Sequence, residues 1–173
     1  MRRGVSLLKG GREHSEVTAP RLGRRRVKGK QGMGHILVVE DDPNNALVFE
    51  AVLKRIGKFD VTVSENVDEI LALCRSGKID LVIMDVSLTQ SYYQGKKVDG
   101  LEITRLLKND EKAERIPVLL ATAHAMKGEK ERFLAASGAD GYVTKPVLDH
   151  HALVGQIREL IQKSKETVTQ TPS

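Results

Sequence analysis

The chain has 173 residues, 40% of them hydrophobic, a formal net charge of +5 and a single cysteine. That is enough for one domain with a sizeable core and excludes a disulfide framework. It contains no apolar run of the ~18 residues that a membrane crossing needs, and the stretch after Met1-Arg2-Arg3 is too short for a secretory signal, so the sequence reads as a soluble, cytoplasmic protein.

Residues 1–32 hold 10 Lys/Arg against 2 Asp/Glu, which leaves 18 against 21 for residues 33–173. The positive charge therefore belongs to the first segment, which shows no helical or strand period and reads as a basic, disordered extension. Its functional reading is a nucleic-acid or anionic-lipid contact, and the weightier one is an upstream extension of the reading frame before Met33. Nucleic-acid binding is otherwise not expected, nor is membrane binding.

From His35 onward short apolar runs alternate with stretches of helical period. The pattern predicts strands at Ile36–Val39, Asp60–Val63, Leu81–Met84, Val118–Ala121 and Gly141–Thr144. Helices are expected at about Asn44–Ile56, Val67–Ser76, Gly100–Lys108, Glu129–Ser137 and Leu148–Lys163, with Asp42-Pro43-Asn44 capping the first and Gly77 and Gly138 following the second and fourth. Such alternation is that of an α/β fold, a doubly wound five-stranded parallel sheet with helices on both faces. One domain over residues 33–163 and a polar tail over residues 164–173 complete the division. Cys74, in Ile70-Leu71-Ala72-Leu73-Cys74, is expected as a buried free thiol.

Open sheets of this kind carry their sites at the carboxyl ends of the strands. There the first strand runs into Glu40-Asp41-Asp42 and the third into Asp85, so two strands deliver carboxylates to one edge. Clustered carboxylates raise one another's pKa unless a cation lies among them, and an oxygen-only donor set suits Mg2+. Helix capping explains Asp42 but not Glu40, Asp41 and Asp85 together. The last two strands end in Thr122-Ala123 and Lys145-Pro146, a hydroxyl and a cation. A lysine, a hydroxyl and a metal can hold the oxygens of a phosphoryl group while a carboxylate attacks phosphorus in line.

In these residues the sequence resembles the receiver domains of two-component response regulators, the CheY-like branch of the flavodoxin-like fold, over about residues 34–163; in type it is most similar to stand-alone DivK-like receivers. The resemblance implies a strand order of 2-1-3-4-5. It makes Asp85 the phosphoacceptor, Glu40, Asp41, Asp85 and the backbone carbonyl of Ser87 the Mg2+ ligands, and Lys145 and Thr122 the catalytic partners. Thr122 and Tyr142 become the switch pair. It also implies a phosphodonor, a sensor histidine kinase or histidine phosphotransfer protein, and a downstream protein partner on the face of the fourth helix, fifth strand and fifth helix. On this reading the protein is not an enzyme beyond its own phosphorylation and dephosphorylation, and output passes through partner proteins.

The sequence departs from the family in one place. Family members usually set an Asp-Gly about seven residues after the acceptor, commonly with a Pro between, whereas here Asp99-Gly100 lies 14 residues on and residues 89–97 form an insertion. Tyr92 and Tyr93 in it are expected to pack down as a loop on their own helix, with a partner contact as the lesser reading. The alternative functions are a non-phosphorylated receiver-like protein-binding adaptor and a phosphatase of the haloacid dehalogenase type, which wants a second Asp where Ser87 stands. His150-His151 opens the last helix, and His14, His35 and His124 share no metal-ligand spacing.

Overall fold

The computed structural model describes residues 33–123, 126 and 128–169. The expectations for the basic extension, His14 and His124 lie outside the described residues, as do the last four residues of the predicted tail.

Five strands form the main sheet: β1 (His35–Val39), β2 (Asp60–Val63), β3 (Leu81–Asp85), β6 (Val118–Thr122) and β7 (Gly141–Thr144). All neighbours are parallel and the order is β2-β1-β3-β6-β7, which is the predicted doubly wound arrangement. Parallel strands covered on both faces read as unbroken apolar runs because neither side meets water. In β1, Ile36 and Val38 point into one core with Leu81, Ile83, Leu119 and Ala121, while Leu37 and Val39 point into the other with Val82, Met84, Val118 and Leu120. The first core is closed by α1 (Pro43–Val52) and α5 (His150–Thr169) through Phe49, Leu153, Val154 and Ile157. The second is closed by α2 (Val67–Arg75) and α3 (Gly100–Lys108) through Ile70, Cys74, Ile103 and Leu107, with Phe133 and Leu134 of α4 (Glu129–Ser137) at its margin. Each fully buried Leu or Ile contributes about 2 kcal/mol from lost apolar exposure.

Three local features differ from the sequence reading. The first helix stops at Val52 and continues as a π turn, Leu53–Gly57, closed by Lys58 in the left-handed region. Phe59 causes the change: its amide donates to the Leu53 carbonyl at 3.1 Å, and its ring fills the place where a Cβ on Gly57 would lie, 2.4 Å away. The last helix runs to Thr169, so six of the residues read as a polar tail are helical. They are held there by Ser164 Oγ donating to the Arg115 carbonyl and by Lys165 pairing with Asp80 at 3.2 Å.

The insertion is not a loop but a hairpin, β4 (Tyr92–Tyr93) pairing antiparallel with β5 (Lys96–Lys97). Its two turn residues, Gln94 and Gly95, both have positive φ, as a two-residue hairpin turn requires. Tyr93 packs on the core and β4 lies against α2, while Tyr92 is 61% exposed. The root is tied by the Val98 amide to the Ser91 carbonyl at 3.0 Å, and buried Ser91 donates to the Glu65 carbonyl.

Candidate functional site

Each of the three inner strands ends its apolar run at the same edge, and each turns polar there because the chain leaves the two cores at that point. Val39 is followed by Glu40 and Asp41, Met84 by Asp85, and Ala121 by Thr122. Register sets them side by side: Val39 pairs with Met84 and Asp85 with Ala121. One oxygen from each of Glu40, Asp41 and Asp85 can be chosen so that all three lie within 4.8 Å of one another. Glu40 and Asp85 are buried, at 5% and 3% exposure, and Asp41 is half-buried.

Lys145, just past β7, reaches across to this group. Its Nζ donates to Glu40 Oε2 at 2.7 Å and lies 3.0 Å from Asp85 Oδ1. Burial alone would pull the ammonium down, but the hydrogen bonds and charges of Glu40 and Asp85 outweigh it and hold it above the usual lysine range. Burial pushes the Glu40 carboxyl up and the Asp85 charge adds to that; the Lys145 hydrogen bond offsets only part, so Glu40 stays raised. Asp41 goes the other way. Burial pushes it up, yet hydrogen bonds from the Thr89 hydroxyl and amide overcome this and lower it.

Of the remaining predicted residues, Ser87 and Thr122 are linked to this centre. The Ser87 amide donates to Asp85 Oδ1 at 3.2 Å. Thr122 is fully buried, and its carbonyl accepts from the Lys145 amide at 2.8 Å. Tyr142 lies within β7, half-buried against the core of α2, α3 and α4. Its phenol is raised, first by burial and then by the charges of Glu129 and Glu131. Asp42 does cap α1, its Oδ1 accepting from the Asn44 and Asn45 amides. Cys74 is buried and free, and burial pushes its thiol up to about 12.

Two residues at the site had no role assigned from sequence. Thr89 binds Asp41 Oδ2 through both its amide, at 2.8 Å, and its hydroxyl, at 2.6 Å. Gly100 lies under the end of β3: a Cβ there would sit 1.9 Å from the Asp85 carbonyl oxygen. The displaced Asp-Gly was a signal for the second. Asp99 caps α3 with a reciprocal bond from Glu102, and the hairpin absorbs the extra length so that Gly100 still meets Asp85. No signal pointed to Thr89.

The family model of the response regulator receiver domain matches residues 36–158, well over half of the chain. The chain belongs to the response regulator receiver family. It is 35% identical over 112 residues to the polar-differentiation response regulator DivK of Brucella anthropi, covering 65% of this chain and 84% of that protein. Among solved structures it is similar to the receiver domain of a sensor histidine kinase from Pseudomonas aeruginosa, at 29% identity and a TM-score of 0.62, covering 75% of this chain and 98% of that one. That structure holds a magnesium ion in its active-site cleft. A receiver domain of a signal-transduction histidine kinase from Syntrophus aciditrophicus matches at 28% identity and a TM-score of 0.60, over 81% of this chain and 96% of its own. The acidic trio of Glu40, Asp41 and Asp85 offers what a divalent cation needs, oxygen donors in excess of the one lysine that faces them among the described residues. Among the described residues no helix is long and apolar enough to cross a membrane.

Proposed function

We propose that this receiver accepts a phosphoryl group on Asp85 from a phosphohistidine of a sensor histidine kinase or phosphotransfer protein. The observation that carries this is Lys145, whose ammonium bridges Glu40 and Asp85 while Asp41 stands beside them, held by Thr89. Glu40, Asp41, Asp85 and the Ser87 carbonyl would hold Mg2+, which when bound supplies the positive charge that offsets the phosphoryl oxygens.

An Asp85 carboxylate oxygen attacks phosphorus in line as the bond to the histidine nitrogen breaks. The imidazole leaves with the electron pair, and an acyl phosphate remains on Asp85. Lys145 is already at Asp85, so it can follow the new phosphoryl oxygens without rearrangement of the backbone. The Thr122 hydroxyl, at the end of the neighbouring strand, turns toward the same oxygens. A group of about −2 charge with strong acceptor oxygens favours that arrangement, and the space Thr122 vacates lets Tyr142 rotate. The face made by α4, β7 and α5 then changes shape for a downstream protein partner. In this reading residues 33–163 are the receiver unit and the chain works in the cytoplasm, which suits its free, buried Cys74.

The test is incubation with acetyl phosphate, with and without Mg2+, read by intact mass on the wild type and on Asp85→Asn. One phosphoryl group added only in the presence of Mg2+ and only to the wild type is expected. No addition to the wild type would replace this reading with that of a receiver-like adaptor that binds partners without phosphorylation.

A further inference from the structure

Of the three clustered carboxylates, Glu40 and Asp85 share Lys145, whereas Asp41 is held from a different direction. Thr89 donates its amide and its hydroxyl to one and the same oxygen, Oδ2, at 2.8 and 2.6 Å. The two residues are 48 positions apart in sequence and belong to loops after different strands, so this is a tertiary contact and not a local turn. A carboxylate has two oxygens and about four acceptor directions. Two donors on Oδ2 hold the plane of the group while acceptor directions remain for a cation.

Such a side chain loses little further freedom when it takes a metal, because its rotamer is already set. The loop that carries Thr89 is itself braced. Two residues on, buried Ser91 donates to the Glu65 carbonyl and accepts from the Val98 amide at the root of the hairpin. Asp85 ends β3 and Thr89 lies four residues beyond it, so the acceptor and the residue that holds Asp41 are carried by one short segment. The inserted hairpin closes that segment at its far end.

We propose that Thr89 is a positioning residue for the divalent cation: it orients Asp41 for Mg2+ without touching the ion. The inference rests on the proposed Mg2+-dependent phosphoacceptor function. Outer-shell partners of metal ligands typically change affinity by about 10- to 100-fold when removed. The lower end applies to the isosteric Thr89→Val, which keeps the amide and loses only the hydroxyl.

The experiment is calorimetric titration of the full chain with MgCl2, comparing the wild type, Thr89→Val and Thr89→Ser, together with thermal unfolding of each in the absence of Mg2+. Thr89→Val is expected to bind Mg2+ about tenfold more weakly, Thr89→Ser to recover most of the affinity, and the Mg2+-free melting temperatures to stay close together. Equal affinity in Thr89→Val and the wild type would overturn the proposal, and so would tighter binding in the variant, which would make Thr89 a competitor of the ion. A wild type that takes up no Mg2+ would overturn both this proposal and the function on which it rests, whereas binding by the wild type with no change in the variant removes this proposal alone.

Discussion

Two lysines close the two ends of the sheet, and they do so in opposite ways. At the amino edge Lys108 donates to Asp140 Oδ2 at 2.7 Å, to the Ile116 carbonyl at 2.9 Å and to the Glu114 carbonyl at 3.2 Å. An ammonium has three donors and all three are used there, against one carboxylate, and that carboxylate also accepts the Val118 amide at 2.8 Å. Charge and hydrogen bonds balance, so the group is a brace between α3, β6 and the start of β7. At the carboxyl edge Lys145 meets Glu40 and Asp85 with Asp41 beside them, three carboxylates to one ammonium among the described residues. The surplus of acceptors is what separates a site from a brace, because only the unbalanced cluster gains from another cation.

The carboxyl edge is also the tighter of the two in its backbone, and this gives the largest expected effect. A Cβ on Gly100 would lie 1.9 Å from the Asp85 carbonyl oxygen and 2.8 Å from its carbonyl carbon, both backbone atoms that cannot swing aside. Gly100→Ala should therefore cost about 3 kcal/mol in urea unfolding and, by displacing Asp85, should also abolish the proposed phosphoryl uptake. The corresponding position at the other edge, Gly138, meets only the flexible Lys108 side chain, at 3.6 Å, although its φ of +75° disfavours substitution on its own account. A Gly100→Ala variant as stable as the wild type would show that the carboxyl edge yields and that its geometry is not fixed by this contact.

Next in size is the response to Mg2+, which should divide the two clusters cleanly. Ligand at 100 times its dissociation constant stabilises the folded state by about 2.7 kcal/mol. That increment should appear in Asp140→Ala, where the loss is confined to the partners of Lys108 and Val118 and amounts to about 1–2 kcal/mol of baseline stability. It should disappear in Asp41→Ala, whose baseline should change less. Melting curves with and without Mg2+ on the two variants check this; an increment lost from Asp140→Ala would mean that the two edges are coupled through the sheet and that the comparison is misdrawn.

The strands and the edge at which the polar residues collect were legible because parallel strands buried on both faces must be apolar throughout and must turn polar where they leave the core, whereas the strand order came from the resemblance to receiver domains. Glu40, Asp41, Asp85, Thr122 and Lys145 could be singled out by their places at those ends. Thr89 could not. It is an exposed threonine in an insertion, and only the fold carries it to Asp41. The hairpin was read as a loop because two-residue strands carry too little pattern to register, although Gln94-Gly95 between paired tyrosines and lysines was the turn signal present. The extra turns of α5 were missed because polar residues gave no period, and their support comes from Arg115 and Asp80 in distant parts of the chain.

The smallest effect expected is a dependence on pH, and its sign tests the claim that the carboxyl edge is unbalanced. Burial and the Asp85 charge raise Glu40 above the ordinary glutamate value despite its bond to Lys145. A carboxyl raised in the folded state binds its proton more tightly there than in the unfolded chain, so its contribution is fully present below about pH 4.5 and is lost as pH rises through the folded value. Asp41, lowered by Thr89, has the opposite sign: its contribution is present above the usual aspartate value and is lost on acidification through the folded one. In Mg2+-free buffer Glu40→Gln should therefore gain stability on the wild type as pH climbs from 4.5 and then hold a constant lead, with no such trend for Asp140→Ala. Added Mg2+ should erase the lead, since the ion stabilises the ionised trio and the glutamine variant binds it less well. A Glu40→Gln variant that falls behind the wild type over the same pH range without Mg2+ would mean that the Lys145 bond outweighs burial and the Asp85 charge, and the carboxyl edge would then be a brace like the other.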